Sequence, residues 1–247
     1  MVGLLAPFVL AFCPPAEHLE CDCCCGFLYQ QTFCQHAPLC GPPRPYIPQP
    51  GDIFLATDQG LIARVGHKIA GADGVHHSGI IIALPDGSLG LLESGPHNTL
   101  RIRVMDICEH LSSHTCQGDK VWIRQRCEPL TCEQSACLTE FAMRQVGKRF
   151  ALARLGGQLT PFRSRGPIRT HWMGGPHGDR HSYYCSELVT ECCVAAGLLR
   201  AENCRPAATY PCDLYYGTSC NPFINRHFEI NCYWLPPTRW TCQPCGG

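Results

Sequence analysis

Cysteine constrains this chain more than any other feature, filling 21 of its 247 positions. An enzyme of a reducing compartment seldom carries so many thiols. Disulfides formed in an oxidising compartment explain such a density, and so does metal ligation. The count is odd, so at least one thiol stays outside any intramolecular set of pairs, as a nucleophile would. A secreted or cell-envelope location is therefore favoured over a cytoplasmic one. Disulfides are expected among the cysteines before Cys40 and among those after Cys204.

The rest of the composition narrows the class. Hydrophobic residues make up 45% of the chain and charged residues 16%, which a disordered chain would not show. Lys+Arg and Asp+Glu balance at 20 each, and no basic stripe runs along the sequence, so nucleic acid is not an expected partner. The apolar run from Met1 to Cys13 falls short of the ~20 residues that span a bilayer. It resembles the apolar region of a secretion signal without the basic residues that precede one. Leu10-Ala11-Phe12-Cys13 has the outline of a lipoprotein box, with Phe12 where a small residue belongs. A signal and a buried segment are both open there, and no membrane span is expected. Residues 1–50 read as an appendage: the apolar segment, a stretch holding seven cysteines from Cys13 to Cys40, and a proline-rich linker from Gly41 to Pro50. Residues 51–247 read as the main domain with a cysteine-rich C-terminal extension.

Short strands dominate its first half. Asp52–Ala56, His77–Leu84, Leu89–Glu93, the alternating segment around Leu100, Ile102 and Val104, and Lys120–Arg124 read as an antiparallel meander. Pro85-Asp86-Gly87-Ser88 supplies a tight turn, and Leu61–Ile69 has helical spacing. Thr131 and Gln134 form a capping box ahead of an apolar stripe at Leu138, Phe141 and Ala142, with Gly147 as the stop. A second helix starts near Tyr184-Cys185, buries Leu188, Val189, Cys192 and Ala196, and ends at Gly197. Between the two, Arg149 to Ser182 reads as a long loop of the kind that forms lids. Phe228–Trp234 reads as a strand.

Three positions in this scheme suit nucleophilic chemistry. Cys185 opens an amphipathic helix, where unpaired N–H groups and the helix dipole stabilise a thiolate. The same N–H groups could hold an oxyanion. His77 heads an apolar strand, and imidazole is a suitable acid and base near neutrality. His76 competes with it and faces the other way. Glu93, on the neighbouring strand, could orient an imidazole and stabilise its charged form.

The ordered set Pro50-Gly51-Asp52, His77-Ser78-Gly79-Ile80, Leu92-Glu93, Gly147-Lys148-Arg149-Phe150 and Tyr184-Cys185-Ser186-Glu187-Leu188-Val189 resembles the YiiX-type permuted papain-like amidases. These belong to the NlpC-type and lecithin:retinol-acyltransferase-like cysteine hydrolases. Thr209-Tyr210-Pro211-Cys212-Asp213-Leu214 resembles a segment that follows the nucleophile helix in that group. The resemblance covers roughly Gly51 to Leu214. It implies an α+β, circularly permuted papain-like fold in which an antiparallel meander sheet packs against the nucleophile-bearing helix. It also implies Cys185 as nucleophile, His77 as acid and base, Glu93 as orienting residue, and Tyr184 as a candidate for holding the oxyanion. The implied reaction cleaves an amide or ester through an acyl-thioester, with a small-molecule, peptide or lipid acyl group as substrate. The cysteine content, the N-terminal segment and the insert between Phe150 and Tyr183 depart from the family pattern.

Two alternatives stay open on the sequence. One is an acyltransferase on the same fold. The other is a non-enzymatic cysteine-rich metal-binding or disulfide module, suggested by Cys21-x-x-Cys24, Cys242-x-x-Cys245 and the cluster His171, His177, His181. The two CxxC pairs stand more than two hundred residues apart, so neither has a partner pair nearby. No cofactor and no metal site are expected.

Overall fold

The computed structural model describes residues 25–58, 74–95, 99–157, 160–218 and 230–243. The apolar segment before Cys13, the helix expected over Leu61–Ile69, the pair Cys21 and Cys24, and Cys245 lie outside them.

The strands form mainly where β-branched and apolar residues concentrate. β3 (Ile53–Ala56), β4 (His77–Ala83), β5 (Leu89–Ser94) and β6 (Ile102–Met105) pair in sequence as an antiparallel meander. The β4–β5 turn is closed by Asp86, whose carboxylate accepts from the Ser88 N–H at 3.0 Å, and by Gly87 at φ 86°. The meander does not continue into β7 (Val121–Arg124) as expected. β7 returns to pair with β3, on the far side from β6. A helix that the sequence reading missed, α1 (Ile107–Cys116), makes that return. Its apolar stripe holds only Ile107 and Leu111; the other buried positions are His110 and His114, so hydrophobic periodicity signals it weakly.

Among the described residues the sheet has eight strands in the order β2-β1-β10-β7-β3-β4-β5-β6. β1 (Phe27–Gln31) and β2 (Arg44–Pro45) come from the stretch set apart as an appendage, and β10 (Thr238–Thr241) joins β1 to β7. The sheet thus runs across the boundary placed at residue 50. Phe228–Trp234 was expected as a strand, but its described part forms α6 (Ile230–Tyr233). Four residues of alternating character cannot separate the two periods, and one helical turn buries Ile230 and Trp234 on the same side.

Alternation along the strands divides the core into two layers. Ile53, Leu55, Ile80, Ile82 and Leu92 meet α2 (Cys132–Gln145) and α4 (Cys185–Ala195) on one face. Phe54, Ala56, Ile81 and Leu91 meet Ile107 and Leu111 of α1 on the other. Both larger helices follow their sequence signals. Thr131 caps α2 in a reciprocal box with Gln134, and Gly147 and Gly197 follow the two helices at positive φ. The expected loop over 149–182 contains β8 (Arg149–Phe150), which pairs with β9 (Ser182–Tyr183), as well as the short helix α3 (Leu152–Gly156) and a π-helical turn at Ile168–Met173. The last short helix, α5 (Pro211–Tyr216), packs on α4. Among the described residues no helix is long and apolar enough to cross a membrane.

Among the described residues no disulfide joins two cysteines before Cys40 or two after Cys204, and the other cysteines of those stretches lie outside the described residues. Cys25 is bonded to Cys108, across 83 residues, and Cys132 is also disulfide-bonded. Cys204, Cys212, Cys232 and Cys242 carry free thiols, as do Cys34 and Cys40. Cys204, like Cys192 and Cys193, is packed into the core as a small apolar side chain.

Candidate active site

Cys185 is the first residue of α4, and its side chain is only 6% exposed. The helix start is held firmly. Glu187, fully buried, accepts the Tyr184 N–H at 3.0 Å and the guanidinium groups of Arg154 at 2.7 and 2.6 Å and Arg180 at 2.6 Å. Both arginines come from the stretch expected as a lid, so that stretch is tied to the start of the helix. Ser94 Oγ, at the end of β5, donates to the Tyr183 carbonyl at 2.8 Å and fixes the approach to Cys185.

His77 opens β4, and its Nε2 lies 3.1 Å from Glu93 Oε2 on β5. The Cys185 thiol and the His77 imidazole are close enough that each favours the other's ionised form, and Ser78 also favours the thiolate. With Nε2 on Glu93, Nδ1 is the ring nitrogen left for the thiol. The three residues reach one another in an unexpected way. His77 packs edge-on against Phe54, on the α1 face of the sheet, whereas α4 covers the opposite face.

Charge is distributed accordingly. Burial opposes ionisation of the Cys185 thiol, but the His77 imidazole more than offsets it and the thiol's pKa is lowered. Burial likewise disfavours the His77 cation, yet Glu93 and Cys185 hold its pKa well above the ordinary value. Burial works against the Glu93 carboxylate too, and His77 and His110 outweigh it, so its pKa is lowered. Other thiols respond oppositely. Burial pushes Cys193 and Cys204 up to about 12, Cys212 up to about 11, and Cys192 well above its usual value.

Tyr184 sits immediately before Cys185. Its ring meets Phe150 edge-on at 5.8 Å, with the Arg154 guanidinium 4.7 Å from its centre. His76, the competitor of His77, accepts the Asp58 N–H on Nδ1 at 3.1 Å.

Three further residues, absent from the sequence reading, complete the surroundings. His110 Nε2 lies 2.9 Å from Glu93 Oε2, and His114 Nδ1 lies 3.0 Å from Asp119 Oδ2. The rings of His77, His110 and His114 all pack around Phe54. The signal that could have found them is the spacing Asp106-x-x-Glu109-His110-x-x-x-His114. Asp106 caps α1, accepting from the Glu109 N–H, and i,i+4 places the two histidines on one face. The exposed cluster His171, His177 and His181 forms no metal-ligand group among the described residues.

No protein-family model matches the chain, and no curated protein matches it. Among solved structures it is similar to the crystal structure of metalloprotein YiiX from Escherichia coli O157:H7, with a TM-score of 0.43 and 19% sequence identity. The superposition covers 63% of this chain and 69% of that one. The reading of the site that follows rests on its own geometry.

Proposed function

We propose that the chain is a cysteine hydrolase on a circularly permuted papain-like fold, cleaving an amide or ester bond through an acyl-thioester. The observation that carries this reading is the Cys185 thiol at the first turn of α4, its ionisation favoured by the His77 imidazole, whose Nε2 lies 3.1 Å from Glu93 Oε2. Acyl transfer needs a thiolate, a proton donor for the leaving group and a cradle for the oxyanion. Cys185 sulfur attacks the carbonyl carbon, and N–H groups of the first turn of α4, with Tyr184 nearby, face the developing oxyanion. The His77 imidazolium then gives its proton to the leaving nitrogen or oxygen as the tetrahedral adduct collapses to the thioester. The neutral imidazole takes a proton from water, whose oxygen attacks the thioester and releases the acid. Glu93 keeps the ring oriented and balances its charge at each stage. His77 before Cys185 in the chain is the order a permuted papain-like protein would have.

Incubation with an activated short-chain acyl ester, followed by intact-mass and peptide mass spectrometry, tests the reading. A single acyl adduct on Cys185 that hydroxylamine removes, and that is missing from Cys185→Ala, is the expected result. Acylation spread over the exposed thiols, or unchanged in Cys185→Ala, would overturn it.

A further inference from the structure

Beside the His77–Glu93 pair, two buried histidines that the proposed hydrolysis does not use gather around the same carboxylate. We propose that Glu93, His110 and His114 form a binding site for a divalent transition-metal ion of the zinc type, a site the sequence reading did not expect.

The first support is geometry. Each of the three residues offers one ligand atom, and these atoms lie within 4.8 Å of one another. All three residues are buried. Two donors bound to zinc at tetrahedral angles stand about 3.3 Å apart, given metal–ligand distances of about 2.0–2.1 Å. The Glu93 carboxylate and the His110 ring are already in contact, with Nε2 2.9 Å from Oε2, so small side-chain rotations suffice to bring Oε1 and Nε2 to one ion. His110 and His114 are one turn apart on α1, the spacing that lets two imidazoles share one ion. The disulfide from Cys25 to Cys108 pins the first turn of that helix to the N-terminal strands.

The second support is the surroundings of the ligands. His114 Nδ1 is held by the buried carboxylate of Asp119 at 3.0 Å. Donation from Nδ1 leaves the lone pair on Nε2, the tautomer a metal requires, and a carboxylate behind a ligating histidine is the usual way of fixing it. Glu93 Oε1 is buried and accepts no hydrogen bond among the described residues, although a carboxylate oxygen in that setting calls for a cation or a donor. Oε1 on the ion would leave Oε2 facing His77, so the site and the proposed catalytic pair can coexist. Two imidazoles and a carboxylate make a nitrogen–oxygen set, which distinguishes this site from any assembled from the chain's many thiols.

Titration of the purified full-length chain with cobalt(II), followed in the visible and near-ultraviolet, tests the proposal. One equivalent should give d–d bands without thiolate-to-cobalt charge transfer. His110→Gln and His114→Gln should abolish those bands while far-ultraviolet circular dichroism shows an intact fold. Should either substitution unfold the chain, Asp119→Asn carries the test: it should weaken cobalt binding by about 10- to 100-fold. Cys185→Ser should leave the bands unchanged, so the result is separate from the fate of the thiol reading. Absence of the bands, or bands dominated by thiolate charge transfer and indifferent to Asp119→Asn, would overturn the proposal.

Discussion

Burial drives the thiols of Cys192, Cys193, Cys204 and Cys212 away from ionisation. Cys185 is buried as well, yet the His77 imidazole reverses the sign. That contrast is the one expected between a reactive thiol and structural ones, since the thiolate is the reactive form. Cys185 should therefore be alkylated by iodoacetamide at pH 6 faster than any other thiol, as read by peptide mapping after a brief pulse. His77→Ala removes the imidazolium partner, and a thiol returned to a pKa of about 8.5 holds well under about 1% thiolate at that pH. The advantage should then vanish. Glu93→Gln should keep part of it, because the amide oxygen still accepts from His77 Nε2 while the negative charge is lost. Equal labelling of Cys185 in wild type and His77→Ala would show that the imidazole does not activate it.

At the scale of elements, the site depends on how closely β4 and β5 approach. Gly79 is paired with Glu93 across the two strands. A Cβ on Gly79 would stand 2.8 Å from Glu93 Cγ and 2.9 Å from the Leu92 carbonyl oxygen. Gly79→Ala should therefore push Glu93 off His77, cost about 1–3 kcal/mol of stability as other overpacked positions do, and lower the labelling rate of Cys185. Urea denaturation together with the alkylation pulse measures both effects, and an unchanged labelling rate would mean that Glu93 can move without consequence. The sequence carried this part of the structure well. Short apolar runs bounded by turns marked β3, β4 and β5, alternation marked β6, and the capping box and terminal glycines marked α2 and α4, because those signals are local. It did not carry α1, where two histidines replace the aliphatic residues that would have shown a helical stripe. With α1 hidden, the return of β7 to β3 and the His110–His114 face were hidden too. β1 and β10 escaped notice because each is short and gains its meaning only from a partner about two hundred residues away.

For the whole molecule, the joint between the N-terminal stretch and the sheet sets a pH dependence. Asp52 is fully buried at the start of β3. It accepts the Tyr46 hydroxyl at 3.0 Å, the Gln49 N–H at 3.3 Å and the Arg126 N–H at 2.8 Å, so it ties the incoming chain to the end of β7. Burial outweighs these hydrogen bonds and raises its pKa to about 7. A carboxyl whose pKa is higher in the folded state than in the unfolded state binds more protons when folded, so stability falls as pH rises through that window. For Asp52 the window runs from about 4 up to about 7. Glu93, with its pKa lowered, acts in the opposite sense, and its contribution is lost only as pH falls below the ordinary carboxylate range. His77, with its pKa raised, adds to the loss of stability as pH rises above the ordinary imidazole range, and Cys185, with its pKa lowered, acts in the opposite sense below the ordinary thiol range. The chain should accordingly be most stable near pH 5 and lose stability toward pH 7.5, with one pKa unit worth about 1.4 kcal/mol. Urea midpoints at the two pH values measure the slope. Asp52→Asn cannot ionise, so it should flatten that slope whatever its effect on absolute stability. An equal slope in the variant would assign the pH dependence to groups other than Asp52.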